Sequence, residues 1–179
     1  MLIMASCKRL LLAAVLFTSL SATAIGFTSE QLRAPFLLHI AGFTQFSGPL
    51  PAASTLQFCF LEGEDFPHAQ IFRQAPDKTV QGRDVNLLTL SDISEIPDDQ
   101  RCHLLFIGEE RESEEVFELL NELNQNTISV GESLNFIEQG GMMAILPLQS
   151  KMKIFFNRDA YQKTQLKFSS ALLKRVNFR

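Results

Sequence analysis

The spacing of apolar positions changes several times along the chain, and each change predicts a different element. Leu10 to Leu20 is an unbroken run of apolar and small residues, with Lys8-Arg9 before it and Ser21-Ala22-Thr23-Ala24 after it. A positive start, an apolar centre and an A-x-A-type end make a cleavable export signal. The run falls short of the roughly 20 residues that a bilayer requires. Residues 1–24 are therefore expected to be removed, leaving 25–179 as one α/β domain that works outside the cytoplasm. An uncleaved anchor is the competing reading of the segment.

Leu32, Phe36, Ile40 and Phe43 then recur at helical spacing, and Thr28 with Gln31 forms a capping-box pattern ahead of them. Pro35 cannot donate to the carbonyl four residues back, so a kink or a late start is expected. Ser47 to Ser54, with two prolines and a glycine, reads as a loop. Leu56–Leu61, Val85–Leu90 and His103–Ile107 are short apolar runs of the kind found in sheets buried on both faces. Residues 69–74 are a short helical candidate between the first two runs. In 112–123, Val116, Phe117, Leu120 and Leu123 share one face and glutamates the other. Residues 127–130 predict another strand. Met142–Leu146 and Lys151–Phe156 predict a hairpin, with Pro147 near an edge. Asn157 would cap a final helix over 158–176. This order predicts a three-layer α/β sandwich: a mostly parallel sheet flanked by helices, with a C-terminal antiparallel hairpin.

Charge adds one feature. The net value of −4 hides an uneven distribution: residues 25–150 carry six Lys/Arg against 19 Asp/Glu, and 151–179 carry eight against Asp159 alone. Lys163, Lys167, Lys174, Arg175 and Arg179 would lie on or beside the last helix. They are candidates for contact with a bilayer or an acidic partner, and a merely solvated helix face is the alternative.

In folds of this class, ligands bind past the C-terminal ends of the strands. The corresponding loops are Glu62-Gly63-Glu64-Asp65, Ser91-Asp92, Gly108-Glu109-Glu110-Arg111 and Gly131-Glu132-Ser133. They contain no G-x-G-x-x-G or P-loop pattern, and their acidity would repel a phosphate. No divalent-cation spacing is present. Zinc on Cys59, Cys102 and two histidines would match no familiar spacing. His39, His68 and His103 are scattered, His103 reading as a structural residue at a strand start. No nucleophile motif occurs. No cofactor and no metal are expected. Net acidity, and aromatics that are almost all Phe, argue against nucleic acid. Removal of the signal with Cys7 leaves Cys59 and Cys102, which could bridge if their strands are neighbours.

Six motifs appear in register: Phe58-Cys59; Thr79-Val80-Gln81-Gly82-Arg83; Cys102 to Ile107; Gly140-Gly141-Met142-Met143; Ile154-Phe155-Phe156-Asn157; and Leu166 to Leu173, which includes Ser169-Ser170. With these the chain resembles the YfiR family of periplasmic proteins, from about Gln31 to Val176. The resemblance implies a periplasmic repressor with an α/β sandwich fold. Such a repressor binds the periplasmic sensor region of a membrane-anchored diguanylate cyclase, YfiN, and holds it inactive. An outer-membrane lipoprotein, YfiB, can sequester it. The resemblance also implies a Cys59–Cys102 disulfide and a capacity to form homodimers. It marks Gln81, Gly82, Arg83, Gly140, Gly141, Asn157, Ser169 and Ser170 as family positions. The chain departs from the family at Pro35 and at Phe46-Ser47, where members carry Trp-Pro, and it lacks the second disulfide of some members. Two function classes follow: a non-enzymatic protein inhibitor, or a small-molecule binding module that relays occupancy to a membrane partner.

Overall fold

The computed structural model describes residues 27–46, 55–75, 78–96 and 101–179. The export segment and the Ser47–Ser54 loop lie outside the described residues. Thr28 starts the first helix with both halves of a capping box: its hydroxyl accepts from Gln31 N, and the Gln31 side chain accepts from Thr28 N. Helix α1 (Ser29–Gly42) begins at Ser29 and continues past Pro35, so of the two expectations for that residue, a kink or a late start, the late start does not occur. Proline removes only one helical bond, and the cap and the packing around it are enough to offset that. The buried stripe matches the expected one only in part: Ile40 is buried and Phe36 and Phe43 pack against the core. Arg33, Ala34, Leu37, Ile40 and Ala41 face inward, and Leu32 is 41 % exposed. The helix is apolar nearly all round, so spacing alone could not choose its inner face.

The chain continues as β1 (Thr44–Gln45), β2 (Leu56–Leu61), α2 (Pro67–Gln74), β3 (Thr79–Val80), β4 (Arg83–Leu90), β5 (Leu104–Ile107), α3 (Glu114–Leu123), β6 (Ile128–Gly131) and α4 (Leu134–Glu138). After these come β7 (Met143–Leu148), β8 (Lys151–Phe156), α5 (Arg158–Lys163), β9 (Lys167–Phe168), α6 (Ser170–Leu173) and β10 (Val176–Phe178). One eight-stranded sheet has the order β10-β8-β7-β6-β5-β2-β4-β3. Its pairs are parallel except for the β7–β8 hairpin and β3–β4. Pro147 lies past the last residue of β7 that pairs with β6, where its missing N–H costs the ladder nothing.

Alternation along the central strands builds a core on each side. Phe58, Phe60, Leu104, Phe106, Ile128 and Val130 pack with α1 and α2. Cys59, Leu61, Leu105 and Ile107 pack with Val116 and Leu120 of α3. That is the three-layer sandwich, with a mostly parallel sheet and the C-terminal hairpin. Phe136 fills the space between Gly131 and Gly141, where an added Cβ would run into its ring.

The last helix predicted over 158–176 is replaced by four short elements. Thr164 is extended, and its hydroxyl donates to the carbonyls of Asn124 (2.7 Å) and Gln125 (3.2 Å), which draws the chain out of helix after Lys163. Leu166 and Leu172 still reach the core, but through β9, which pairs antiparallel with β1, and α6. The final strand β10 extends the sheet beside β8.

Candidate functional site

The C-terminal ends of the parallel strands form the place where this fold class takes ligands, and here the chain's own side chains occupy it. Gly63 N donates to Glu110, Glu109 N donates to Glu132 (3.0 Å), and the Ser133 hydroxyl (2.5 Å) and Asn135 amide (3.0 Å) donate to Glu112. Gly63 and Gly108 leave space that a Cβ would contest, since Glu110 Oε1 would stand 2.9 and 2.6 Å from it. Backbone N–H groups that could cradle an anion are thus engaged by carboxylates already. A small hollow of about 180 Å³ remains beside Asp92, Glu110, Arg111, Glu112 and Glu115. Hydrogen bonds from the Ser94 side chain and N–H hold the Asp92 carboxyl below its ordinary value. Among the described residues no group of three or more His, Cys, Asp or Glu is arranged to hold a metal.

Two buried contacts, an Arg–Glu ion pair and a carboxylate–imidazole hydrogen-bond contact, tie helices to this edge, and neither was visible in the sequence. Arg33 on α1 is 7 % exposed, pairs with Glu132 at 2.5 Å and donates through Nε to the Ile145 carbonyl at 3.0 Å. Glu62, at the end of β2, accepts from His68 N (3.2 Å) and Ala69 N (3.0 Å) and lies 2.7 Å from His68 Nδ1. Residue Phe66, in the left-handed region at φ 43°, offers α2 no side-chain cap, so Glu62 satisfies its first amides instead. Only the lone arginine of α1 and the acid at a strand end hinted at these pairs. Their partners are brought together by the fold, 99 residues apart for Arg33 and Glu132.

The family positions do not converge on one site; most of them hold junctions between elements. Gln81 (φ 53°) and Gly82 (φ 74°) make the β3–β4 turn, and the Gln81 amide donates to the carbonyls of Ala41, Gly42 and Thr44 at the end of α1. Arg83 begins β4. Gly140 has φ 102°, accepts from Asn124 Nδ2 at 2.8 Å, and precedes Gly141, whose N–H donates to Phe136 O. Asn157 caps α5 through Asp159 N and Ala160 N while donating to Ile137 O. Ser169 caps α6, and Ser170 is its exposed first residue. His103 is structural: its Nδ1 accepts from Gln57 N at 3.0 Å.

Cys59 and Cys102 are bonded, with Cα atoms 5.8 Å apart, and both are buried. Lys163, Lys167, Lys174, Arg175 and Arg179 are all exposed. They do not share one amphipathic helix, as expected, because the segment is broken: they fall at the end of α5, in β9, after α6 and at the last residue. None of them forms an ion pair among the described residues. Arg175 instead lies 3.5 Å from His39, and Arg179 over the Phe155 ring. Between α1, β8 and α6 the same end holds an apolar hollow of about 380 Å³, lined by Phe36, Met152, Ile154 and Leu172 with His39 and Arg175 at its rim. No helix among the described residues is long and apolar enough to cross a membrane.

No curated protein matches the chain. The family model described as YfiR/HmsC-like matches residues 30–175, from the first turn of α1 to the start of β10, and so takes in every junction described above. That membership fits a regulatory role in cyclic di-GMP signalling in the periplasm. The chain belongs to the YfiR/HmsC-like family.

Proposed function

We propose that this protein is a non-enzymatic periplasmic regulator. It binds the periplasmic sensor region of a membrane-anchored diguanylate cyclase, holds the cyclase inactive and so limits cyclic di-GMP. Family membership over residues 30–175 carries this reading. Two features of the molecule support it. At the strand-end edge, Glu110, Glu112 and Glu132 are held in hydrogen bonds to the chain's own groups. The basic C-terminal end is exposed and free of ion pairs among the described residues, as a surface for docking near a bilayer or onto an acidic receptor would be. An outer-membrane lipoprotein of the YfiB kind would relieve repression by competing for the regulator. The apolar hollow of about 380 Å³ favours a second reading, in which a small molecule there is sensed and relayed to the membrane partner.

The test is a binding measurement between the exported chain and the purified periplasmic region of the cyclase. A complex should form, and replacing Lys174, Arg175 and Arg179 together with Gln should slow association in low salt while leaving dissociation nearly unchanged. Loss of binding to anionic vesicles alone would assign the basic end to the membrane. Wild-type rates on both would make it a solvated surface. Absence of any complex would overturn the reading.

A further inference from the structure

The acidic strand-end loops have a counterpart of opposite sign at the other end of the sheet. Residues 25–150 hold six Lys/Arg against 19 Asp/Glu, and two of the six, Arg83 and Arg101, belong to this N-terminal edge. Strand β2 runs between β4 and β5, and the register sets Val85 beside Leu56 and Leu104 beside Phe58. Arg83 and Arg101 therefore flank the start of β2 from its two sides, with backbones about 10 Å apart. His103 follows Arg101 by two residues and is held to Gln57 through both its N–H (2.8 Å) and its ring Nδ1 (3.0 Å). Among the described residues no carboxylate pairs with either arginine.

Donors gather at this edge without acceptors. Arg83 Nε is buried and has no hydrogen-bond partner. Nδ1 of His103 accepts from Gln57 N, so the neutral ring carries its one proton on Nε2. That N–H has no hydrogen-bond partner among the described residues, in a residue only 8 % exposed. The Phe46 ring stands edge-to-face with it at 5.3 Å and is only a weak acceptor. Buried donors left unpaired are costly, so these call for an acceptor that the chain does not supply. Burial, and then the charges of Arg101 and Arg83, push the His103 pKa down to about 4, with no carboxylate acting in the other direction.

We propose that Arg83, Arg101 and His103 bind a divalent oxyanion of the phosphate type at this edge. The Arg83 guanidinium and the His103 Nε2–H donate to its oxygens, and the exposed Arg101 supplies the second positive charge. Two charges set the preference: a dianion neutralises both arginines, and a carboxylate leaves one unpaired. The acidic loops do not cancel the attraction. Strand β2, six residues long, separates the two ends by about 20 Å, more than two Debye lengths in physiological salt. The inference is independent of the cyclase reading.

The test is binding of inorganic phosphate to the exported chain, read by proton NMR on the histidine rings near neutral pH. Phosphate should shift the His103 resonances saturably, and acetate should bind about ten-fold more weakly or less. Arg83→Gln and Arg101→Gln should each weaken phosphate binding about ten-fold with unchanged circular dichroism. Arg73→Gln, at an exposed position on α2, should leave it unchanged. Arg101 is exposed, so its variant decides if Arg83→Gln does not fold. No saturable shift at His103, equal affinity for acetate, or wild-type affinity in Arg101→Gln overturns the proposal. So does an equal shift at His39, which sits beside the exposed Arg175 and would report a general response to anions. Glycerol 3-phosphate in place of phosphate identifies the source: equal binding supports a phosphate monoester, and binding of the inorganic ion alone supports free phosphate.

Discussion

His103 makes the fold sensitive to mild acid by an amount that can be worked out. The residue is 8 % exposed, and Nδ1 accepts a hydrogen bond from Gln57 N, which requires that nitrogen to be unprotonated. Burial, and then the charges of Arg101 and Arg83, lower its pKa from 6.5 to about 4. The folded value lies below the unfolded one. The stabilisation is therefore complete above about pH 6.5 and lost as pH falls toward 4, where the unfolded chain binds a proton that the folded chain refuses. Between pH 7.5 and pH 5 the loss is about 2 kcal/mol, from roughly 1.4 kcal/mol per unit of pH below the unfolded value. Other groups titrate in the same range, so the clean measurement is a difference. His103→Asn keeps an acceptor for Gln57 N and removes the titration. Urea unfolding followed by circular dichroism at both pH values should show the wild type losing about 2 kcal/mol more than the variant. Equal losses would refute the assignment of His103 as a buried neutral acceptor.

Cys59→Ser should lower stability by up to about 4 kcal/mol, from the loop-closure entropy of a 43-residue separation, and urea midpoints of oxidised wild type and variant would show it. Arg33→Met should cost about 3–5 kcal/mol by stranding the Glu132 carboxylate, while the double change Arg33→Met with Glu132→Gln should recover most of that loss in the same assay. Gly141→Ala should cost about 1–3 kcal/mol through overpacking against Phe136, seen as a lower melting temperature. Replacing Ser133 should leave partner binding intact, since its hydroxyl only caps α4 and bonds Glu112.

The central strands were legible in the sequence because continuous runs such as Leu56–Leu61 and Leu104–Ile107 suit a sheet covered on both faces and little else. Capping residues were legible as well: Thr28 and Asn157 act through neighbours a few residues away. What could not be read was set by tertiary contact. Nothing local says that Thr164 will bond Asn124 and Gln125, 40 and 39 residues back, and end a helix that the apolar spacing would continue. The inner face of α1 was only partly legible, because Leu32, Phe36 and Leu37 are alike in hydrophobicity and Arg33, held by Glu132 and Ile145, joins the buried face. The acidity of the strand-end loops was legible in the sequence. That their glutamates would satisfy one another's backbone across β2, β5 and β6 required the topology.

The most direct test of the proposed function is cellular cyclic di-GMP, measured with the gene present, deleted and restored, in backgrounds with and without the membrane-anchored diguanylate cyclase. Deletion should raise cyclic di-GMP several-fold, restoration of the exported chain should return it to the starting level, and loss of the cyclase should abolish the rise. An unchanged level on deletion, or a rise that persists without the cyclase, would contradict repression of that enzyme by this protein.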